Sequence, residues 1–79
     1  APNPARGAVA LRFTLPEALH ARLAVYDVAG RRVAVLVDGL LAAGPHEAEW
    51  EGGGAGPGLY FARLEAGGST ITRRVARVR

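Results

Sequence analysis

Hydrophobic and polar residues alternate through most of the chain, and turn-forming residues interrupt the pattern at intervals of roughly 8–12 residues. In residues 9–15, VALRFTL, apolar side chains occupy every second position, and Pro16 follows the run. Successive side chains of a strand point to opposite faces of a sheet. This spacing therefore predicts a β-strand with one buried face that includes Phe13.

The next two runs predict a pair of strands joined by a turn. Leu23 and Val25 share one face of the first run, and the phase changes near Asp27, which indicates a bulge or the start of a turn. Gly30 is free to adopt the positive φ that this turn requires. In the following strand we expect Val33, together with Val35 or Leu36, to face inward. Alanine, leucine and arginine also permit a helix here, but the β-branched valines favour strands.

The second half of the chain predicts three more strands and two loops. Residues 40–45 are expected to form a loop, and 46–51 a short strand with Trp50 inward and three glutamates outward. The glycine-rich stretch 51–58 then leads through Gly58 into a strand that contains Tyr60 and Phe61. Adjacent side chains point to opposite faces, so at least one of these two aromatic residues should lie in the core. The run from Ser69 to the end of the chain predicts the last strand.

Together these elements predict an all-β fold, a small immunoglobulin-like antiparallel β-sandwich of six or seven strands. We expect a single domain over residues 1–79, with residues 1–6 as a linker segment from a larger protein. The predicted turn residues are Asp27, Gly30 and Gly58. The predicted core consists of Phe13, Leu23, Val25, Val33, Trp50, Tyr60 and Phe61.

Composition supports a packed domain without disulfide bonds. The 79 residues are 49% hydrophobic and include no cysteine, so the core must hold the fold alone. The net charge of +3 is scattered along most of the chain, which indicates a solvated surface rather than a nucleic-acid site. No apolar run approaches the ~20 residues of a membrane-spanning helix.

The residues that carry chemistry are sparse. Ser69 is the only serine, cysteine and lysine are absent, and His20 and His46 lack a metal-binding spacing. The glycine stretch has no lysine at its end and precedes a strand, so it does not fit a phosphate-binding loop. We therefore expect no enzymatic activity, no metal, no cofactor, no small-molecule ligand and no nucleic-acid partner. A carbohydrate-binding module would need Trp50, Tyr60 and Tyr26 exposed as a stacking platform.

The C-terminal run has an unusual charge pattern. Residues 71–79 contain four arginines and no acidic residue. One interpretation is an edge strand whose charges prevent aggregation. The other is a terminal strand presented to a receptor that recognises the backbone and the basic side chains. The charge pattern alone leaves both interpretations open.

Five motifs in order carry a resemblance to a known family: PNPA at 2–5, LAVYDVAGRRVAVLVDG at 23–39, AGPHEAEWEG at 43–52, GPGLYFARLEAGG at 56–68 and TRRVARVR at 72–79. The chain resembles the type A C-terminal sorting domain of the type IX secretion system. It is also similar in pattern to the immunoglobulin-like domain of the flagellar hook-capping protein. The chain departs from the family in having Ala5 where phenylalanine or valine is common, and arginine for lysine in the last strand.

The resemblance implies a non-catalytic module that directs a larger cargo protein through the outer-membrane translocon to the cell surface or the medium. It implies as partners the translocon, the sorting protease or ligase proteins, and an N-terminal cargo domain. The alternatives are, first, a structural or adhesive immunoglobulin-like module and, second, a carbohydrate-binding module. The resemblance places recognition in the last strand, at Thr72, Arg73, Arg74, Val75, Arg77, Val78 and Arg79.

Overall fold

A computed structural model describes residues 7–52 and 54–78 of the chain. The predicted linker segment 1–6, Gly53 of the glycine stretch and Arg79 lie outside the described residues. Six antiparallel strands and no helix occur in this part of the chain, which confirms the all-β prediction. No helix capable of crossing a membrane is therefore present among the described residues. The strands are β1 (Val9–Leu15), β2 (Leu19–Asp27), β3 (Arg32–Leu41), β4 (Gly44–Trp50), β5 (Gly58–Ala66) and β6 (Ser69–Arg77).

The strands form two sheets that enclose one hydrophobic core. A two-stranded sheet contains β1 and β4, and a four-stranded sheet has the order β3-β2-β5-β6. Trp50 on β4 is only 4% exposed and packs with Leu23 and Val25 of the facing sheet. Phe13 is partly buried against this cluster. The buried cluster consists of Val9, Leu23, Val25, Trp50, Tyr60, Ala62 and Val75.

The structure corrects the predicted inward face of β3. Val33 is 42% exposed and Val35 is 44% exposed, whereas Ala34, Leu36 and Val37 pack against the core. The pairing with β2 shifts register twice, leaving Leu36 and then Val33 without a partner on β2. Each extra residue in a bulge reverses the alternation that follows it. The placement of Val33 in the core was therefore wrong, and Leu36 was the correct choice over Val35.

Phe61 also lies outside the buried cluster. Its neighbour Tyr60 points inward, so Phe61 is carried to the outer face of the four-stranded sheet, where it is half-buried. In register, Phe61 lies beside Tyr26 on β2 and Arg74 on β6. The expectation that at least one of the two aromatic residues enters the core is confirmed, but the placement of both there was wrong.

The connections follow the sequence signals except at residues 40–45. In the first turn, the Oδ1 atom of Asp27 accepts hydrogen bonds from the backbone N–H groups of Ala29 and Arg31, each at 2.9 Å, and Gly30 has a φ of +83°. These bonds hold the pKa of Asp27 below its ordinary value, and the bond from the Arg31 N–H has the largest effect. Residues 40–45 are not a loop, because β3 continues to Leu41 and β4 begins at Gly44.

The glycine-rich stretch crosses from one sheet to the other. It joins the end of β4 to the start of β5, and a hydrogen bond of 2.6 Å runs from the Ala55 N–H to the Gly52 carbonyl. The Tyr60 hydroxyl donates a second bond, of 2.8 Å, to the Gly56 carbonyl. Gly58 opens β5 with a φ of +149°, a conformation that other residues rarely adopt. The stretch is thus a structural connection into the Tyr60 strand.

Candidate recognition strand

The last strand, β6, lies at the edge of the four-stranded sheet. Among the described strands it pairs only with β5, in a register from Ala66 opposite Ser69 to Gly58 opposite Arg77. Gly67 and Gly68 connect the two strands with φ values of +57° and +80°. Two consecutive residues of positive φ are characteristic of the tight turn that matches the twist of a hairpin. The register of β6 is therefore set by this turn.

The side chains of β6 divide between the two faces of the sheet. Val75 faces inward, opposite Tyr60 in register, and is only 3% exposed. Thr72 and Arg74 alternate with it on the outer face, and both are exposed. Arg73 shares the inward face with Val75, yet it is also exposed because it lies at the rim of the core. Of the predicted recognition residues, Thr72, Arg73 and Arg74 thus present their side chains, and Val75 does not.

Arg77 at the end of β6 makes an intramolecular contact that the sequence did not predict. Its Nη1 atom donates a hydrogen bond of 2.9 Å to the carbonyl of Gly7, which lies 70 residues earlier in the chain. Its guanidinium also lies over the Trp50 ring, 5.1 Å from the ring centroid, within cation–π range. We call this arrangement of Arg77, Gly7, Trp50 and Gly52 the Arg77 latch.

Two neighbours complete the Arg77 latch. The Trp50 ring meets the Tyr60 ring edge to face, with centroids 5.0 Å apart and an interplanar angle of 68°. Gly52 is buried under the guanidinium, and a Cβ at that position would overlap it. The latch therefore fixes the end of β6 against the beginning of the described chain. Val78, which follows it, is exposed, and Arg79 lies outside the described residues.

The aromatic residues do not form an exposed stacking platform. Trp50 and Tyr60 are buried in the core. Tyr26 is half-buried on the outer face, and the Arg63 guanidinium covers its ring at 4.3 Å from the centroid. A sugar would therefore have to displace Arg63 to stack on Tyr26. This geometry argues against the carbohydrate-binding alternative.

Five other polar residues make separate surface contacts. Glu47 of the acidic face on β4 accepts a bond of 2.6 Å from Arg12 on β1. His20 contacts Asp38 at 2.8 Å. His46 stacks on the Phe13 ring and bonds to the backbone at Ala42. The two histidines thus belong to different local contacts. The side chains of β6, by contrast, offer hydrogen-bond donors and positive charge.

The sequence matches the model of one protein family, described as the secretion system C-terminal sorting domain, over residues 1–77. The match spans all six strands and ends at Arg77, the last residue of β6. No curated protein and no solved structure matches the chain.

Proposed function

Because the chain belongs to the secretion system C-terminal sorting domain family, we propose that its last strand, β6, is the element that the type IX translocon recognises. The family supplies the coarser role: the domain is a C-terminal secretion signal, and it marks its protein for export to the cell surface or for secretion. A sorting signal of this kind is non-catalytic. The proposal adds which part of the fold is recognised.

The observation that supports the proposal is the exposure of three neighbouring side chains on an edge strand. Thr72, Arg73 and Arg74 are exposed at the middle of β6, and the strand includes no acidic residue. In an antiparallel edge strand, alternate residues direct their backbone N–H and C=O groups away from the neighbouring strand. A receptor can pair with such groups and select the side chains between them. The arginines then supply specificity through bonds to carboxylates of the receptor.

The proposed partners follow from the same role. The translocon contacts β6, a sorting protease or ligase acts on the exported protein, and a cargo domain lies N-terminal to the sorting domain in the parent chain. The arginines at this site offer a planar fork of donors, whereas lysine offers a single point charge. A receptor for this chain should therefore present carboxylate pairs toward Arg73 or Arg74.

Deletion of residues 75–79 from the parent protein would be an ambiguous test. Val75 is buried in the core, and Arg77 carries the Arg77 latch, so the deletion removes structure together with any recognition element. A failure of export would then report an unfolded domain. Substitution of exposed side chains separates the two effects.

The sharper test is charge reversal on β6 in the parent protein. Arg73→Glu and Arg74→Glu are each compared with Arg32→Glu, an exposed arginine on β3 at the opposite edge of the same sheet. We expect both β6 variants to accumulate in the periplasm while Arg32→Glu reaches the surface. Circular dichroism melts of the isolated domain establish that all three variants are folded. Normal surface delivery of both folded β6 variants would contradict the proposal and favour a structural or adhesive module.

A further inference from the structure

One side of the sandwich is open between β1 and β6, where a groove of about 450 Å³ reaches the hydrophobic core. Leu23, Ala62 and Leu64 from the four-stranded sheet are among the residues that line it. Leu11 lines it from β1, and Ile71 from β6. The groove is therefore apolar over most of its lining.

The groove exists because the two sheets differ in width. The two-stranded sheet covers only part of the four-stranded sheet, and β1 pairs with β4 alone among the described strands. The consequence is visible along β6: Val75 is 3% exposed, whereas Ile71, on the same face, is 53% exposed. The Arg77 latch closes one end of this side, and the end near Ile71 stays uncovered.

We propose that this groove binds an extended segment of another protein, which adds to the outer edge of β1 as a third strand of the small sheet. Apolar side chains of the segment would cover Ile71 and Leu64, and an acidic side chain would pair with Arg73. β1 has seven residues, so a partner strand of about seven residues, at roughly 3.3 Å each, matches its length. The site goes beyond the sorting role, because it uses the edge of β1 and the interior of the groove.

Charge decides between a different protein and a second copy of this chain. The lining includes Arg12, Arg73 and Arg74 and, among its described residues, no carboxylate. Arg12 is already paired with Glu47, and Arg74 lies on the outer face of β6, so Arg73 is the arginine whose charge a partner segment meets inside the groove. Two copies joined at this groove would bring like charges together, and the chain as a whole has a net charge of +3. An acidic partner segment instead places opposite charges at the groove and is attracted to the positively charged chain.

The test uses a displayed library of random nine-residue segments selected against this 79-residue chain. We expect the enriched segments to alternate apolar residues with aspartate or glutamate. Ile71→Glu places a charge on the groove wall, and Leu40→Glu is its matched control, because Leu40 is 76% exposed on β3. Enriched peptides should bind Leu40→Glu as they bind the unsubstituted chain. Their Kd should rise at least about tenfold for Ile71→Glu, and Arg73→Gln should reduce the preference for acidic residues.

N-methylation of alternate peptide residues tests strand addition directly. Because only every second N–H of an edge strand bonds to its neighbour, methylation of one set should abolish binding and methylation of the other should preserve it. The proposal is overturned if no segment is enriched, if acidic residues are not selected, if Ile71→Glu binds as well as the control, or if both methylated sets bind alike. Dimerisation of the chain that Ile71→Glu abolishes would overturn it in favour of a second copy.

The two proposals fail separately. Ile71→Glu should leave export of the parent protein intact while it removes peptide binding. Thr72→Glu, on the outer face of the sheet and outside the groove lining, should do the reverse. Peptide binding without an export defect in Thr72→Glu would refute only the recognition of β6. An export defect in Thr72→Glu without any peptide binding would refute only the groove proposal.

Discussion

Substitution of Arg77 by alanine should destabilise the domain although the side chain lies at the surface. The change removes the 2.9 Å hydrogen bond to the Gly7 carbonyl and the cation–π contact with Trp50. The bond contributes about 0.5–1.5 kcal/mol, and the cation–π contact about 0.5–2 kcal/mol. The free energy of unfolding should therefore fall by about 1–3.5 kcal/mol.

That loss is large for a chain of this size. A domain of 79 residues has a total stability on the order of 4–12 kcal/mol. In domains of this length each 1 kcal/mol shifts Tm by roughly 4–8 °C, so Tm should fall by about 4–28 °C. The Tm of Arg77→Lys should lie between that of Arg77→Ala and that of the unsubstituted chain. Lysine keeps the positive charge but lacks the planar group that stacks on the Trp50 ring.

The assay is thermal and urea unfolding followed by circular dichroism, with Arg73→Ala as the matched control on the same strand. Surface substitutions away from specific contacts usually change stability by less than about 0.5 kcal/mol. A double-mutant cycle of Arg77→Ala with Trp50→Leu, which removes the aromatic ring, isolates the coupling between the two side chains. Equal stability of Arg77→Ala and Arg73→Ala, or additivity of the cycle within about 0.3 kcal/mol, would refute the Arg77 latch.

Three further predictions concern stability. Trp50→Ala should cost about 3–5 kcal/mol in denaturant unfolding, the usual range for a buried aromatic residue, and a near-neutral result would mean that the ring is exposed in solution. Gly52→Ala should lower Tm because its Cβ would displace the Arg77 guanidinium and its φ is +89°, whereas Gly54→Ala, with open space around it, should change Tm little. Asp27→Asn should lower Tm at pH 7, because the bonds that lower the pKa of Asp27 stabilise its ionised form. That contribution is present above the unfolded pKa of about 3.9 and is lost as the pH falls through the lower folded pKa. The Tm difference between Asp27→Asn and the unsubstituted chain should therefore narrow below about pH 4. A Tm difference that stays constant with pH would contradict this account of Asp27.

The sequence predicted the strands well because each one has a single buried face. In β1, β2 and β4 the apolar residues recur at every second position, and the structure buries Leu23, Val25 and Trp50 as expected. The turn at Asp27 was also predictable, because its side chain bonds to the backbone that follows. These are local signals, and they need no knowledge of the partner strand.

The errors occur where pairing between strands decides the outcome. Both bulges on β3 are set by its register with β2, and they move Val33 outward although its sequence pattern resembles that of a core residue. The loop expected over residues 40–45 became strand because β3 and β4 continue into a tight connection at Ala42 and Ala43. The alternation of apolar and polar residues within one segment does not show how that segment pairs with the neighbouring strand.

The Arg77 latch was not predictable for the same reason, since it joins positions 7, 50, 52 and 77 of the chain. It shows that the arginines of the C-terminal run do not all have the same role. Arg77 holds the end of β6 in place, and Val75 anchors the strand in the core, while Thr72, Arg73 and Arg74 are exposed between that anchored end and the hairpin turn. Under the proposed function, the run would combine a structural arginine with exposed arginines for the receptor. The receptor would then meet β6 in the right register only when the domain is folded.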